Sequence, residues 1–364
     1  MPVPLFDTET LLAPLRPRIL ERISDVVAGG QFVLGPEVAA FESEFAASLG
    51  VAHVIGVANG TDALAIALRA LGVAPGDDVV VPAFTFYATA EAVADIGARP
   101  VFCDVDFGTR NVTLETVRAA LTPRTTAIVA VDLFGVPAPI PQLRAQLGLP
   151  VLEDAAQAAG AWLDGRRAGA LGDAATFSFY PSKNLPCFGD GGAIATDDDA
   201  LAEVARSLRF HGSRDKLTFD RVGYNSRLDE IQAAVLRVLL AELDGWTEGR
   251  RAAAGAYRQA GLGELVALPV VPEAASPSWH LYTVTHPRAD ELLQTLAAAG
   301  VQARGYYRVP LHAQPAMAPF VADQAPLPAT DRLAAQNVAL PISPVLGAAA
   351  AREVVAAIAD ATSQ

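Results

Sequence analysis

Lys183 stands in the stretch SFYPSKNLPCFGDGGAI (178–194), between an apolar run and a glycine-rich turn. Of the 27 basic residues only two are lysines, Lys183 and Lys216. A lysine amine titrates and condenses with a carbonyl, whereas a guanidinium stays charged and is a poor nucleophile. A chain that otherwise chooses arginine thus keeps at 183 a side chain capable of carbonyl chemistry. Further polar candidates are Asp154 and Gln157 in EDAAQ (153–157), Gly60 and Thr61 in NGTDAL (59–64), and Ser178. Phe84 and Phe86 in PAFTFYATA (82–90) are the aromatic ones.

Each candidate also has an ordinary structural reading. NGTDAL opens like a capped helix, Asp154 could cap another, and lysine is usually a solvated surface residue. Phe84 and Phe86 could be core, and GDGG could be only a turn. Their combination says more, because pyridoxal phosphate (PLP) needs all of these groups at once. Its aldehyde takes a lysine, its pyridine nitrogen a carboxylate, and its phosphate the free N–H groups of a helix start. Its ring takes an aromatic face. Lys183, Asp154, Gly60–Thr61 and Phe86 could supply these in turn.

The elements that must position them follow from the apolar pattern. β-rich runs recur at 53–58, 78–84, 99–106, 126–135, 150–156, 174–180 and 192–198, with helix-like stretches at 61–71, 87–96, 114–121 and 140–146 between them. Near-continuous apolar strands alternating with helices predict an α/β fold whose mostly parallel sheet is covered on both faces. In such sheets ligands gather beyond the carboxyl ends of the strands, where the candidates fall. Residues 227–260 read as a long helical connector. After it come a strand at WHLYTVTH, a helix at ADELLQTLAAAG, a second strand at VQARGYY and a closing helix. The spacing predicts a large domain over 1–245 and a smaller α+β domain over 246–364.

Bulk properties exclude several classes. The 364 residues carry a net charge of −13, which argues against generic nucleic-acid binding. With 52% hydrophobic and 18% charged residues the chain has ample core material. It lacks an apolar run long enough for a membrane span or a signal peptide, so a cytoplasmic protein is expected. Two cysteines and five histidines show no metal-ligand spacing, so neither a zinc site nor a disulfide framework is expected. A dinucleotide-binding GxGxxG, a P-loop and a GxSxG elbow are all missing.

The motifs GQFVLGPEVAAFESEFA, VANGTDALAIAL, VPAFTFYATAEAV, EDAAQAAGA, FSFYPSKNLPCFGDGGAI, GYNSRLDEIQAAVL, WHLYTV and VPLHAQPAM, in this order, resemble the DegT/DnrJ/StrS group of PLP-dependent sugar aminotransferases. The resemblance covers nearly the whole chain. It implies PLP fold type I, with a seven-stranded large domain. Lys183 matches the lysine that binds the cofactor and shuttles the proton, and Asp154 the partner of the pyridine nitrogen. Gln157 matches a contact to the ring hydroxyl, Ser178, Gly60 and Thr61 match phosphate ligands, and Phe86 matches the stacked aromatic. Asn225 matches a phosphate ligand given by the other subunit of a homodimer.

The implied reaction is ping-pong. L-glutamate leaves its amino group on the cofactor, and a nucleotide-linked ketosugar then takes it. Arg227, Tyr306, Tyr307, Arg308 and His312 are the main candidates for binding that sugar, with Arg209, Arg214 and Arg304 beside them. Many relatives read HYPxPxH where this chain has YYRVPLH (306–312). Gln157 and PSKNL favour amination at C3 over C4. Three alternatives remain: a deoxysugar dehydratase, in which a histidine would replace Lys183; a non-catalytic or regulatory PLP-binding protein; and a cofactor-free structural module.

Overall fold

The computed structural model describes residues 3–322 and 324–362. Its centre is a seven-stranded sheet made of β1 (His53–Val57), β2 (Asp78–Pro82), β3 (Arg99–Cys103), β4 (Thr125–Val131), β5 (Val151–Asp154), β6 (Ala174–Ser178) and β7 (Gly192–Thr196), in the order β1-β7-β6-β5-β4-β2-β3. All neighbours are parallel except β7, which runs antiparallel to both β1 and β6. That reversal follows the GDGG turn between β6 and β7. The expected apolar runs overshoot every strand at its carboxyl end. Phe84 and Phe179, in loops just past β2 and β6, and Phe134, in a 3-10 turn (Leu133–Gly135) past β4, are buried, so the apolar signal outlasts the hydrogen-bonded ladder.

Successive strand residues alternate between faces, as a pleated sheet requires. Ile55, Val57, Val79, Val81, Val129 and Ile194 pack with α3 (Gly60–Ala70), α4 (Ala88–Asp95) and α7 (Asp199–Leu208). Before α3 in the chain lie α1 (Arg16–Gly29) and α2 (Pro36–Leu49). On the opposite face, Phe177 and Ala193 meet Phe41 and Phe45 of α2, while Val80 and Ile128 meet α5 (Leu114–Ala120) and α6 (Ile140–Leu147). Both faces are covered, which is why the strands carry so few polar residues.

The predicted connector is two helices, α8 (Glu230–Leu240) and α9 (Leu243–Gln259). Glu230 is buried and accepts the N–H groups of Gly35 and Val38 on Oε1 at 2.8 and 3.0 Å and that of Glu37 on Oε2 at 2.8 Å. One carboxylate thereby satisfies amides at the start of α2 that have no partner within the helix. Beyond α9, β8 (Tyr282–Thr285) pairs antiparallel with β9 (Asn337–Leu340). Around this pair lie α10 (Ala289–Ala298), α11 (Pro328–Gln336) and α12 (Ala348–Thr362). Tyr257, Tyr282, Leu296, Leu340 and Ile358 share a separate apolar cluster.

The second strand expected at VQARGYY does not form. Val301 makes a single bridge to Val3 and Arg304 a single bridge to Ala339. The N-terminal segment competes for this stretch: the Val3 N–H donates to the Gly300 carbonyl, the Gln302 N–H donates to the Val3 carbonyl, and the Gln302 side chain accepts the Leu5 N–H. Among the described residues no helix is long and apolar enough to cross a membrane.

Candidate active site

A cavity of about 530 Å3 opens beside the carboxyl ends of β5 and β6. Its walls include Gly60, Thr61, Phe86, Asp154, Gln157, Ser178, Lys183, Tyr306 and Tyr307 from the sequence-predicted set. Phe6, Thr85, Thr89 and His280 also line it, and sequence reasoning missed them.

Asp154 ends β5 and is only 4% exposed. Its Oδ2 accepts the Thr89 hydroxyl at 2.9 Å and its Oδ1 the Ala156 N–H at 3.2 Å. Burial raises its pKa, while Thr89, Ala156 and the Lys183 charge pull the other way. Lys183 follows the turn after β6, held by its N–H donating to the Tyr180 carbonyl at 2.8 Å. Burial lowers its amine to about 8, against the opposing pull of Asp154. An amine near 8 is neutral in part near neutral pH, far more than an ordinary lysine, so it can attack a carbonyl and carry a proton.

The other side is a helix start. The Asn59 side chain caps α3 by accepting the Asp62 N–H at 2.8 Å. The N–H groups of Gly60 and Thr61 have no acceptor within α3, which lets them meet an anion. Gly60 is dictated by crowding: a Cβ there would stand 2.8 Å from the Cβ of Ser178. A Cβ at Gly192 would overlap the Asn59 carbonyl, so the last glycine of the GDGG turn is also sterically required. Together they bring the α3 amides beside the Ser178 hydroxyl.

Phe86 is 54% exposed, unusual for a phenylalanine, and its ring lies 6.0 Å from that of Tyr307. Gln157 donates through Nε2 to the Tyr307 hydroxyl at 3.0 Å and accepts the Phe134 N–H at 2.8 Å. It therefore locks a loop beyond β4 to one wall of the cavity. His280 is buried beside Phe6, their rings 6.2 Å apart, and its Nδ1 has no partner within the protein. Burial, then the charges of Lys183 and Arg250, lowers its pKa well below the ordinary value, so the imidazole is neutral.

The remaining candidates lie elsewhere. Arg308 donates to the carbonyls of Ala334 and Ala335 and pairs with Asp290 at 3.1 Å, so its fork is occupied away from the cavity. His312 pairs with Asp331 at 3.1 Å. Arg209 donates to the Gly56 carbonyl at 2.7 Å, and Arg214 pairs with Glu203 at 2.8 Å on the surface. Arg304 lies over the Tyr306 ring at 5.8 Å. Asn225 is exposed and bridges Phe210 through its backbone, while the Arg227 guanidinium lies 5.9 Å from the Phe210 ring. Neither is a wall of this chain's own cavity.

The donor set fits PLP: a partly neutral amine, a buried carboxylate, free amides beside a serine hydroxyl, and an accessible ring face. Residues 15–359 match the model of the DegT/DnrJ/EryC1/StrS aminotransferase family. The chain belongs to that family. A dTDP-3-amino-3,4,6-trideoxy-alpha-D-glucose transaminase of Streptomyces venezuelae is 45% identical to it over 98% of this chain and 96% of its own. A pleiotropic regulatory protein of Geobacillus stearothermophilus is 43% identical over 99% and 98% of the two chains. The crystal structure of S. venezuelae DesV in complex with a ketimine intermediate superimposes with a TM-score of 0.95 at 43% identity, covering 100% of this chain and 99% of that one. The family and this neighbour agree with the fold type I architecture expected from the sequence.

Proposed function

We propose that the protein is a PLP-dependent aminotransferase that moves an amino group from L-glutamate to a nucleotide-linked ketosugar. The observation that carries this reading is the placing of one lysine amine, lowered to about 8, and one buried carboxylate on the same cavity. PLP supplies an aldehyde and a protonated pyridine ring that draws electrons from the carbon bearing the amino group. The chain's own residues do the rest. Lys183 would hold the cofactor, and its amine, when free, would carry the proton. Asp154 would pair with the ring nitrogen, the α3 amides with Ser178 would hold the phosphate, and Phe86 would offer its face to the ring. Donor and acceptor use one cavity in turn, which makes the kinetics ping-pong.

Homodimerisation completes the site in this reading. Asn225 and Arg227 lie outside the chain's own cavity, as residues serving a second copy would. Asn225 then reaches the partner's cofactor phosphate, and Arg227 its sugar diphosphate, for which a planar guanidinium is suited. Tyr306 and Tyr307 present the sugar-facing wall. The printed activity of the Streptomyces relative, on a 3-amino sugar, supports amination at C3 over C4. We place the protein in the cytoplasm and the boundary between its large and small domains near residue 245, within the first turns of α9.

A regulatory role is the second reading, favoured by the name of the Geobacillus relative. One assay separates the two. Purified protein is loaded with PLP, its absorbance is followed on adding L-glutamate, and dTDP-linked 3-keto and 4-keto hexoses are then offered. Bleaching by glutamate with release of 2-oxoglutarate, then recovery with the 3-keto sugar, is expected. A coloured protein that glutamate leaves unchanged contradicts the transferase reading and supports the regulatory one.

A further inference from the structure

Thr89 lies in the first turn of α4, far in sequence from every motif residue it serves. A threonine hydroxyl on a helix commonly returns to a carbonyl of its own helix. Here it crosses to β5 and donates to Asp154 Oδ2 at 2.9 Å. Thr89 is 1% exposed, so water does not compete for that bond. A second donor, the Ala156 N–H, fixes the other oxygen at 3.2 Å. The two donors set the plane of the carboxylate against the cavity.

We infer that Thr89 is a positioning residue for the reaction proposed above: its hydroxyl aims Asp154 at the cavity and holds it as an anion, so that a protonated ring nitrogen meets a charge. The inference rests on the PLP reading of the cavity. Burial alone opposes charge on Asp154, and a hydrogen bond to the charged form offsets it. The other titratable groups around it are Lys183 after β6, Asp132 after β4, Tyr307 and His280. Asp132, Tyr307 and His280 are each pushed towards their neutral forms by burial. That leaves Lys183, Ala156 and Thr89 to favour the anion, and Lys183 gives up its charge when it acts.

The test compares wild type, Thr89→Val and Thr89→Ser by equilibrium dialysis of PLP over the acid-to-neutral range. Valine keeps the branched shape without the hydroxyl, and serine keeps the hydroxyl without the methyl. Thr89→Val is expected to weaken PLP binding by about ten- to a hundred-fold, the usual size of a hydrogen bond to a charged group. Its acid-side loss of binding should move to higher pH, because Asp154 protonates more readily without the donor. Thr89→Ser should recover the wild-type profile. If Thr89→Val does not fold, Thr89→Ala replaces it, since serine and alanine differ by the hydroxyl alone. A Thr89→Val profile equal to wild type, or a Thr89→Ser profile as impaired as that of Thr89→Val, overturns the inference, the second by assigning the effect to packing. Wild type that binds no PLP overturns the cofactor reading and this inference with it, and is told apart because the loss precedes any substitution.

Discussion

Glu153 and Asp154 are consecutive on β5, and both are buried carboxylates whose pKa burial raises. The pleat sends them opposite ways. Glu153 accepts the N–H groups of Gly169, Leu171 and Gly172, at 2.5, 2.9 and 3.1 Å, and closes the loop before β6. Asp154 accepts two donors and borders the cavity. An ionised carboxylate offers about four acceptor sites. Glu153 spends most of its capacity on the fold, while Asp154 keeps capacity facing open space. Unspent hydrogen-bonding capacity at a cavity wall separates a chemical carboxylate from a structural one better than burial or charge does.

Lys183→Ala tests the chemical side with the largest expected effect. Loss of the amine should lower the glutamate half-reaction by more than about a thousand-fold, with folding retained. Lys183→Arg should fail as badly, because the guanidinium cannot take the lysine's place. Single-turnover absorbance measures both. Next comes the carboxylate pair itself. Asp154→Asn should slow the same half-reaction by roughly a hundred-fold while barely changing the melting temperature. Glu153→Gln should do the reverse, costing about 2–3 kcal/mol in denaturant unfolding, because the NH2 that replaces one oxygen faces an N–H donor that the oxygen had accepted. Equal stability losses in the two variants would erase the distinction.

Asn225→Ala sharpens the comparison from outside the cavity. It should raise the PLP dissociation constant about ten-fold if the side chain reaches the partner's phosphate, and fluorescence titration reads this. The smallest effect concerns pH. Reaction of the Lys183 amine with a carbonyl reagent in cofactor-free protein should rise with pH through a midpoint near 8 instead of the ordinary 10.5. The Asp154 carboxylate raises that midpoint, so Asp154→Asn should move it lower still. An unmoved or higher midpoint would show that the two groups do not interact.

Much of this was legible in the sequence, for physical reasons. A sheet covered on both faces leaves continuous apolar strands, so all seven were visible, and only their ends overran into buried loops. Lys183 and Asp154 were legible because their residue types are chemically selective and fall at strand ends. Phe6 and His280 were not, because they arrive from the N-terminal segment and from the residues before β8, where no local pattern marks a wall. Thr89 looked like an ordinary helix residue until the fold placed Asp154 beside it. Arg308 misled in the other direction: its type suits a diphosphate, but carbonyls at the end of α11 and Asp290 occupy it. The VQARGYY strand is reduced to two single bridges because its hydrogen bonds are divided, those of Gly300 and Gln302 going to Val3 and those of Arg304 to Ala339.

The presence of only two lysines permits a direct test of the central claim, that Lys183 carries the cofactor. The PLP-loaded protein is reduced with borohydride, digested, and its peptides weighed by mass spectrometry. The account predicts a phosphopyridoxyl mass on the peptide containing Lys183 and none on that containing Lys216. A label on Lys216, or on neither lysine, would contradict it.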